Sequence, residues 1–184
     1  MNTLSHLLGY VIDLLAALIG SVLILRAWAH SQAIPTSDPI VRFCQNLTDW
    51  AVLPVSRSLK GQTGKWHWPA LIAAFGIAIL SSILSRLLFG IPISLAGLVL
   101  TPFALMLRWA TELVLWGTVI WALLSWFQSM SPMARTLGYL VEPFLRPARR
   151  IMPTFRGFDL SPILVFLLCQ AILIFVTPVA RGFI

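Results

Sequence analysis

The chain has 184 residues, of which 59% are apolar and 10% charged, against roughly 25% charged in an average soluble domain. That composition excludes an ordinary water-soluble globule and makes lipid the main solvent. Thirteen Lys and Arg against six Asp and Glu give a net charge of +7. The basic residues fall between long apolar segments, so a membrane surface is the expected partner and no direct nucleic-acid contact is expected.

A spanning helix needs about 20 apolar residues to cross roughly 30 Å of hydrocarbon. Leu7 to Trp28 is the first segment of that kind. Ala27-Trp28-Ala29 has the pattern of a signal-peptide cleavage site, but no Lys or Arg precedes the apolar run and Arg26 sits just before the site. An uncleaved first membrane helix is expected. The stretch Ser31 to His67 then carries Arg42, Arg57, Lys60 and Lys65. Inside it, Asp38-Pro39 is a helix-start signal, a capping oxygen followed by proline at the first helical position. Ile40, Phe43, Cys44, Leu47 and Trp50 recur after it at helical spacing.

Pro69 to Phe89 is the second span, and Trp109 to Phe127 the third. Between them, Ile91 to Leu107 is apolar but carries Pro92 and Pro102. It reads as a fifth crossing, a connector or an N-terminal extension of the third span. Gln128 to Ser161 is again basic, with Arg135, Arg146, Arg149, Arg150 and Arg156. Ser131-Pro132 repeats the start signal, and Met133, Leu137, Leu140, Val141, Phe144, Leu145 and Ala148 form an apolar face opposite the arginines. Pro143 and Pro147 predict a break near Glu142-Pro143 and a short second helix beyond it. Pro162 to Ala180 is the fourth span, opened by proline with Ser161 as its cap. Trp28, Trp66, Trp68, Trp109 and Trp126 fall at span ends, where indoles favour the headgroup region.

Both basic stretches are short enough for the positive-inside rule, which places both in the cytoplasm. An even number of crossings must then separate them, so Ile91 to Leu107 does not cross, and both termini face outward. A displacement of 93 residues superimposes Pro39 on Pro132, Arg42 on Arg135, Leu47 on Leu140, Pro54 on Pro147, Arg57 on Arg150, Gly64 on Gly157 and Pro69 on Pro162, with Asp49 on Glu142. The expected fold is an all-α integral membrane protein with four transmembrane helices in two tandem parallel repeats. Each repeat carries a basic amphipathic cytoplasmic helical segment lying along the interface. Residues 1–90 form the first repeat, 91–107 the connector or extension, and 108–184 the second repeat.

The run Glu142-Pro143-Phe144-Leu145-Arg146-Pro147-Ala148-Arg149-Arg150-Ile151-Met152-Pro153, followed by Gly157-Phe158-Asp159-Leu160-Ser161-Pro162, resembles the repeated motif of the YggT family of small bacterial membrane proteins. That family has two tandem copies and plastid relatives. In the first copy Asp49-Trp50 replaces the acidic residue and proline, and Lys65-Trp66-His67-Trp68 replaces Phe158 to Ser161. The resemblance implies a multi-pass protein of the bacterial inner membrane. It associates bacterial members with osmotic-stress tolerance or ion uptake, and plastid or cyanobacterial relatives with cytochrome b6 haem maturation and nucleoid or division-site organisation. It marks Glu142, Pro143, Pro147, Pro153, Gly157, Asp159, Ser161 and Pro162 as the structural motif.

Two sets of charged residues are candidates for function. Arg146, Arg149, Arg150 and Arg156, with Arg57 and Lys60 in the first copy, suit anionic lipid headgroups or a membrane-protein partner. Asp13, Glu112, Arg86 and Arg108 lie within apolar segments, where charge defaults to a functional hypothesis. The structural alternative pairs Asp13 with Arg86 and Glu112 with Arg108. No catalytic set, metal site or cofactor is expected: His6, His30 and His67 read as interfacial, and Cys44 and Cys169 as structural thiols without ligand spacing. The chain reads as a non-enzymatic assembly or organising factor, with ion transport as the alternative and homo-oligomerisation open. Ala74, Ala78 and Ser82, and Ala16 with Gly20, mark faces for close helix packing.

Overall fold

The computed structural model describes residues 3–59, 64–90, 94–126, 131–151 and 159–181. Lys60, Pro92, Pro153, Arg156 and Gly157 lie outside them. The described residues form α1 (Thr3–Ser31), α2 (Pro39–Ser58), α3 (Trp68–Phe89), α4 (Leu95–Trp126), α5 (Pro132–Ile151) and α6 (Ser161–Ala180). Four of these, α1, α3, α4 and α6, are long and apolar enough to cross a membrane.

The helix starts follow local chemistry. Asp38 Oδ1 accepts from the backbone N–H of Ile40 at 2.8 Å, and Ser131 Oγ from that of Ala134 at 3.1 Å. Each satisfies a donor that the first helical turn leaves unpaired. At the far end of α3, Gly90 takes the left-handed conformation (φ 63°) that ends a helix cheaply only in glycine.

Leu95 to Leu107 is continuous with the third span. At 32 residues and about 1.5 Å per residue, α4 is about 48 Å long, well beyond the hydrocarbon thickness. The early start also moves Trp109. Expected at a membrane boundary, it lies about 21 Å into the helix and is 1% exposed, packed with Ala16, Ala78, Ala104, Leu105 and Ala180. Its indole lies over Gly20 of α1, where an added Cβ would stand 2.3 Å from the ring. Small residues elsewhere serve the same close approach, with Ala70, Ala73, Ala74 and Ala78 of α3 buried.

The expected break in α5 is absent: the helix runs unbroken through Pro143 and Pro147. Each proline removes one backbone donor, freeing the carbonyls of Tyr139 and Pro143 four residues earlier. Both prolines and Tyr139 are exposed, so the vacated acceptors lie on the face turned away from the bundle. The inner face buries Leu140, Val141, Leu145 and Ala148, at about 1.5–3 kcal/mol for each large apolar side chain. Packing there outweighs a proline penalty of about 3 kcal/mol.

Helix α1 packs on α3, α4 on α6, and both α1 and α3 meet α4. The polar α2 rests on α1 and α3, α5 rests on α4 and α6, and α2 touches α5. The two polar helices therefore occupy one end of the bundle, with α3 and α4 as the two passes between them. Ala29, Val41 and Leu140 meet at the junction, where Trp28 of α1 sets its ring edge-on to Phe144 of α5 at 5.2 Å.

Candidate interfacial site

The end of the bundle that carries α2 and α5 is organised by carboxylates, each engaged by the fold. Asp38, besides capping α2, receives the Thr136 hydroxyl of α5, so one carboxylate both starts α2 and ties it to α5. Asp49 on α2 meets Arg26 of α1 at 2.7 Å, and the same guanidinium reaches Thr48 Oγ1 at 3.0 Å. The charge at Arg26, near the end of a spanning helix, is thereby paired where it emerges.

On α5, Arg149 Nη1 donates to both oxygens of Glu142, at 3.1 and 3.0 Å, while Arg149 Nε donates to Asp159 Oδ2 at 2.9 Å. The other Asp159 oxygen accepts from the Ser161 N–H at 2.9 Å. The chain Glu142–Arg149–Asp159–Ser161 thus staples the C-terminal half of α5 to the first turn of α6. Burial raises the Asp159 pKa, but Ser161 and the charge and donors of Arg149 more than offset it, leaving the carboxyl below its usual range. Burial likewise disfavours the Arg149 cation, and Asp159 and Glu142 reverse that effect.

This network bears on two expectations. Ser161 is itself the first residue of α6 and its Oγ makes no hydrogen bond among the described residues; its N–H, the first of the helix, is taken by Asp159. And Arg149, grouped by sequence with the other arginines of this segment, is engaged by two carboxylates of the fold. Arg146 is the contrast: its side chain is 72% exposed, with Glu142 3.8 Å away, whereas that of Arg149 is 35% exposed. Arg135, Arg146 and Arg150 are exposed along one side of α5, and Arg42 and Arg57 along α2. Beside the latter, Phe43, Leu47, Trp50 and Leu53 of α2 face outward, while Ile40, Cys44, Thr48 and Val52 face the bundle.

The intramembrane charges separate into two local arrangements. Arg108 Nε meets Glu112 at 2.8 Å, one turn apart on α4. Asp13 does not meet Arg86; its Oδ1 accepts from Ser85 at 3.2 Å. Arg86 turns the other way, buried against α4, where Nη2 donates to Thr101 Oγ1 at 3.0 Å. Gly97 makes room for it, since a Cβ there would stand 2.4 Å from Nη2. One residue along α3 separates the two directions by about 100°, which sequence spacing alone did not resolve.

The sequence has its counterpart in known proteins. A family model described as CCB3/YggT matches residues 1–88 and 100–180. The chain belongs to the CCB3/YggT family. It is 31% identical over 173 residues to the uncharacterised protein YggT of Escherichia coli K12, covering 94% of this chain and 88% of that protein. An uncharacterised protein of Vibrio alginolyticus is 27% identical over 170 residues, covering 91% and 89%, and one of Haemophilus influenzae 29% over 159 residues, covering 86% and 82%. No solved structure matches.

In this YggT-family chain the sequence reading also missed a histidine pair. His67 caps α3, its Nδ1 accepting from the Ala70 N–H at 3.3 Å, and the His30 ring stands edge-on to it at 5.3 Å. Burial first, then the charge of Arg26 and the neighbouring His30, hold the His67 imidazole below its ordinary range, which favours the neutral ring as the cap. Burial also pushes the Cys44 thiol up to about 11, despite nearby Arg26. Among the described residues no group of three or more His, Cys, Asp or Glu side chains is placed to hold a metal ion.

Proposed function

We propose that the chain is a non-enzymatic envelope protein that organises the membrane around it by binding anionic lipid headgroups along α2 and α5. One observation carries this reading. All six acidic side chains are engaged within the fold: Asp13 by Ser85, Asp38 by Ile40 and Thr136, Asp49 by Arg26, Glu112 by Arg108, and Glu142 and Asp159 by Arg149. The exposed Arg42, Arg57, Arg135, Arg146 and Arg150 are therefore a surplus of cations at one end of the bundle. A surface cation against an anionic leaflet contributes about 1 kcal/mol, and Phe43, Leu47 and Trp50 supply the apolar face of an interfacial helix.

In this reading the two halves are tandem parallel copies, with both basic helices on the cytoplasmic side of a bacterial inner membrane. The repeated element order, the two stretches of the family match and the positive-inside rule support it. The carboxylates occupied by structural partners weigh against acid–base catalysis and against a cation route through Asp13 and Glu112.

The test is thermal unfolding in detergent titrated with phosphatidylglycerol or phosphatidylcholine. Phosphatidylglycerol should raise the midpoint of the wild type by several degrees, and the variant Arg135→Gln/Arg146→Gln/Arg150→Gln should lose most of that gain. Equal stabilisation by both lipids would remove the proposal. Cation flux in proteoliposomes that disappears in Glu112→Gln would replace it with ion transport.

A further inference from the structure

Helix α6 is the most apolar of the four spans, yet its tenth residue of twenty is Gln170. That position lies about 15 Å from either end of the helix, at the middle of the hydrocarbon. The side chain is exposed on the outside of the bundle and has no hydrogen-bond partner among the described residues. A carboxamide there has lost water at both its N–H and its C=O, and lipid tails supply neither donor nor acceptor.

The residues around it form a seam. Ile163, Leu167, Gln170 and Ile174 recur at alternating four- and three-residue steps, the repeat by which two helices interlock. Ile163, Leu167 and Ile174 are 54%, 58% and 69% exposed, while Ser161, Val165 and Cys169 on the opposite face are buried in the bundle. The seam is thus continuous, faces outward and carries its single amide at mid-depth.

We propose that this face of α6 binds the same face of a second copy of the chain, with the two Gln170 side chains hydrogen-bonded to each other at the centre of the interface. A two-fold axis along the membrane normal brings each residue opposite itself at the same depth. A carboxamide is both donor and acceptor, so it complements its own copy and two such groups exchange two hydrogen bonds. An unrelated helix would need a polar group at that one level, whereas a second copy has it by construction. Leu167 and Ile174 then fill the positions flanking the amide pair.

The experiment measures self-association of the full-length protein by energy transfer between donor- and acceptor-labelled copies in liposomes, as a function of protein-to-lipid ratio. Wild type should dimerise, and Gln170→Leu, which keeps the helix apolar, should raise the dissociation constant about tenfold (~1.4 kcal/mol). Gln170→Asn should retain more of the association than Gln170→Leu. In a background with Cys44 and Cys169 replaced by alanine, oxidation should cross-link Leu167→Cys between copies but not Val165→Cys. A monomeric wild type at every ratio, a Gln170→Leu dimer as tight as wild type, or equal cross-linking from the two faces would each overturn the assignment.

Discussion

Replacing Arg149 by methionine isolates the staple between α5 and α6. The substitution keeps most of the side-chain volume and removes the donors to Glu142 Oε1 and Oε2 and to Asp159 Oδ2. A fully buried charge pair that loses one partner costs about 3–5 kcal/mol, and an exposed pair about 0–1 kcal/mol. Here the side chains of Arg149, Glu142 and Asp159 are 35%, 35% and 27% exposed, between those limits, so a loss of about 2 kcal/mol is expected. For a chain of this size each kcal/mol moves the unfolding midpoint by about 2–4 °C, giving a fall of about 4–8 °C. The control is Arg150→Met, which removes the same formal charge from an exposed neighbour and should stay within about 0.5 kcal/mol of wild type. Thermal unfolding of both variants in the same detergent decides the matter. Equal shifts would mean that only net charge matters, and no shift from Arg149→Met would mean that the staple carries no stability. The pH dependence has a fixed sign. The Asp159 pKa is depressed in the folded state, so its contribution is present above the ordinary carboxylate range and is lost as pH falls through the folded pKa. The midpoints of wild type and Arg149→Met should therefore converge in acid.

Gly20→Ala should destabilise by about 1–3 kcal/mol, because its Cβ meets the Trp109 ring at 2.3 Å. Gly76→Ala on α3, with nothing within 4 Å, should be neutral or stabilising by up to about 1 kcal/mol, and the two midpoints compared in one detergent check both. Asp38→Ala should cost about 1–2 kcal/mol, more than Thr136→Val, because it loses the α2 cap as well as the tie to α5; a double-mutant cycle reads the shared part. His67 is held below its ordinary pKa, so the unfolded chain takes up its proton first and stability should decline as pH drops below about 6.5. His67→Asn, which preserves a capping acceptor, should flatten that part of the pH–midpoint curve. The Cys44 thiol, buried and pushed up to about 11, should resist maleimide at pH 7 in the folded protein and react once detergent-solubilised protein is unfolded; mass spectrometry locates the adduct.

The features legible in the sequence are those that local chemistry decides. Asp38-Pro39 and Ser131-Pro132 start α2 and α5 because a capping oxygen and a preset φ act within one turn. The spans were legible because 20 apolar residues in a row have few other homes. The failures are three-dimensional. Pro143 and Pro147 break α5 only if their face is buried, and which face is buried depends on α4 and α6. Trp109 looked like a boundary marker until α4 began at Leu95. Asp13 and Arg86 sit in adjacent helices, but one residue of helical rotation hands Asp13 to Ser85 and sends Arg86 to Thr101. At the site, Glu142, Asp159 and Ser161 were grouped as one motif, and in the fold Arg149 joins Glu142 to Asp159, which takes the Ser161 N–H. Arg149 was grouped with the displayed arginines, because no linear pattern reveals which guanidinium a pair of carboxylates will take.

The same contrast bears on how the two halves differ. Asp49 and Glu142 stand at equivalent places 93 residues apart, and each binds an arginine, but from opposite sides. Asp49 takes Arg26 from α1, the helix before it, so α2 is fastened backward to the span it follows. Glu142 takes Arg149 from its own helix and, through it, Asp159 at the start of α6, so α5 is fastened forward to the span it precedes. Among the described residues the first half has no counterpart to that forward tie, since Ser56 and Trp66 occupy the positions matching Arg149 and Asp159; it opens α3 instead with the His67 cap. Of the two fastenings, the His67 cap yields at mildly acidic pH, whereas the Arg149 staple holds until carboxylates protonate. Acidification below the ordinary histidine range should therefore loosen the first turn of α3 while leaving the junction of α5 with α6 intact. Hydrogen exchange of the first turns of α3 and α6 separates the two; equal protection loss at both would show that the junctions are not independent.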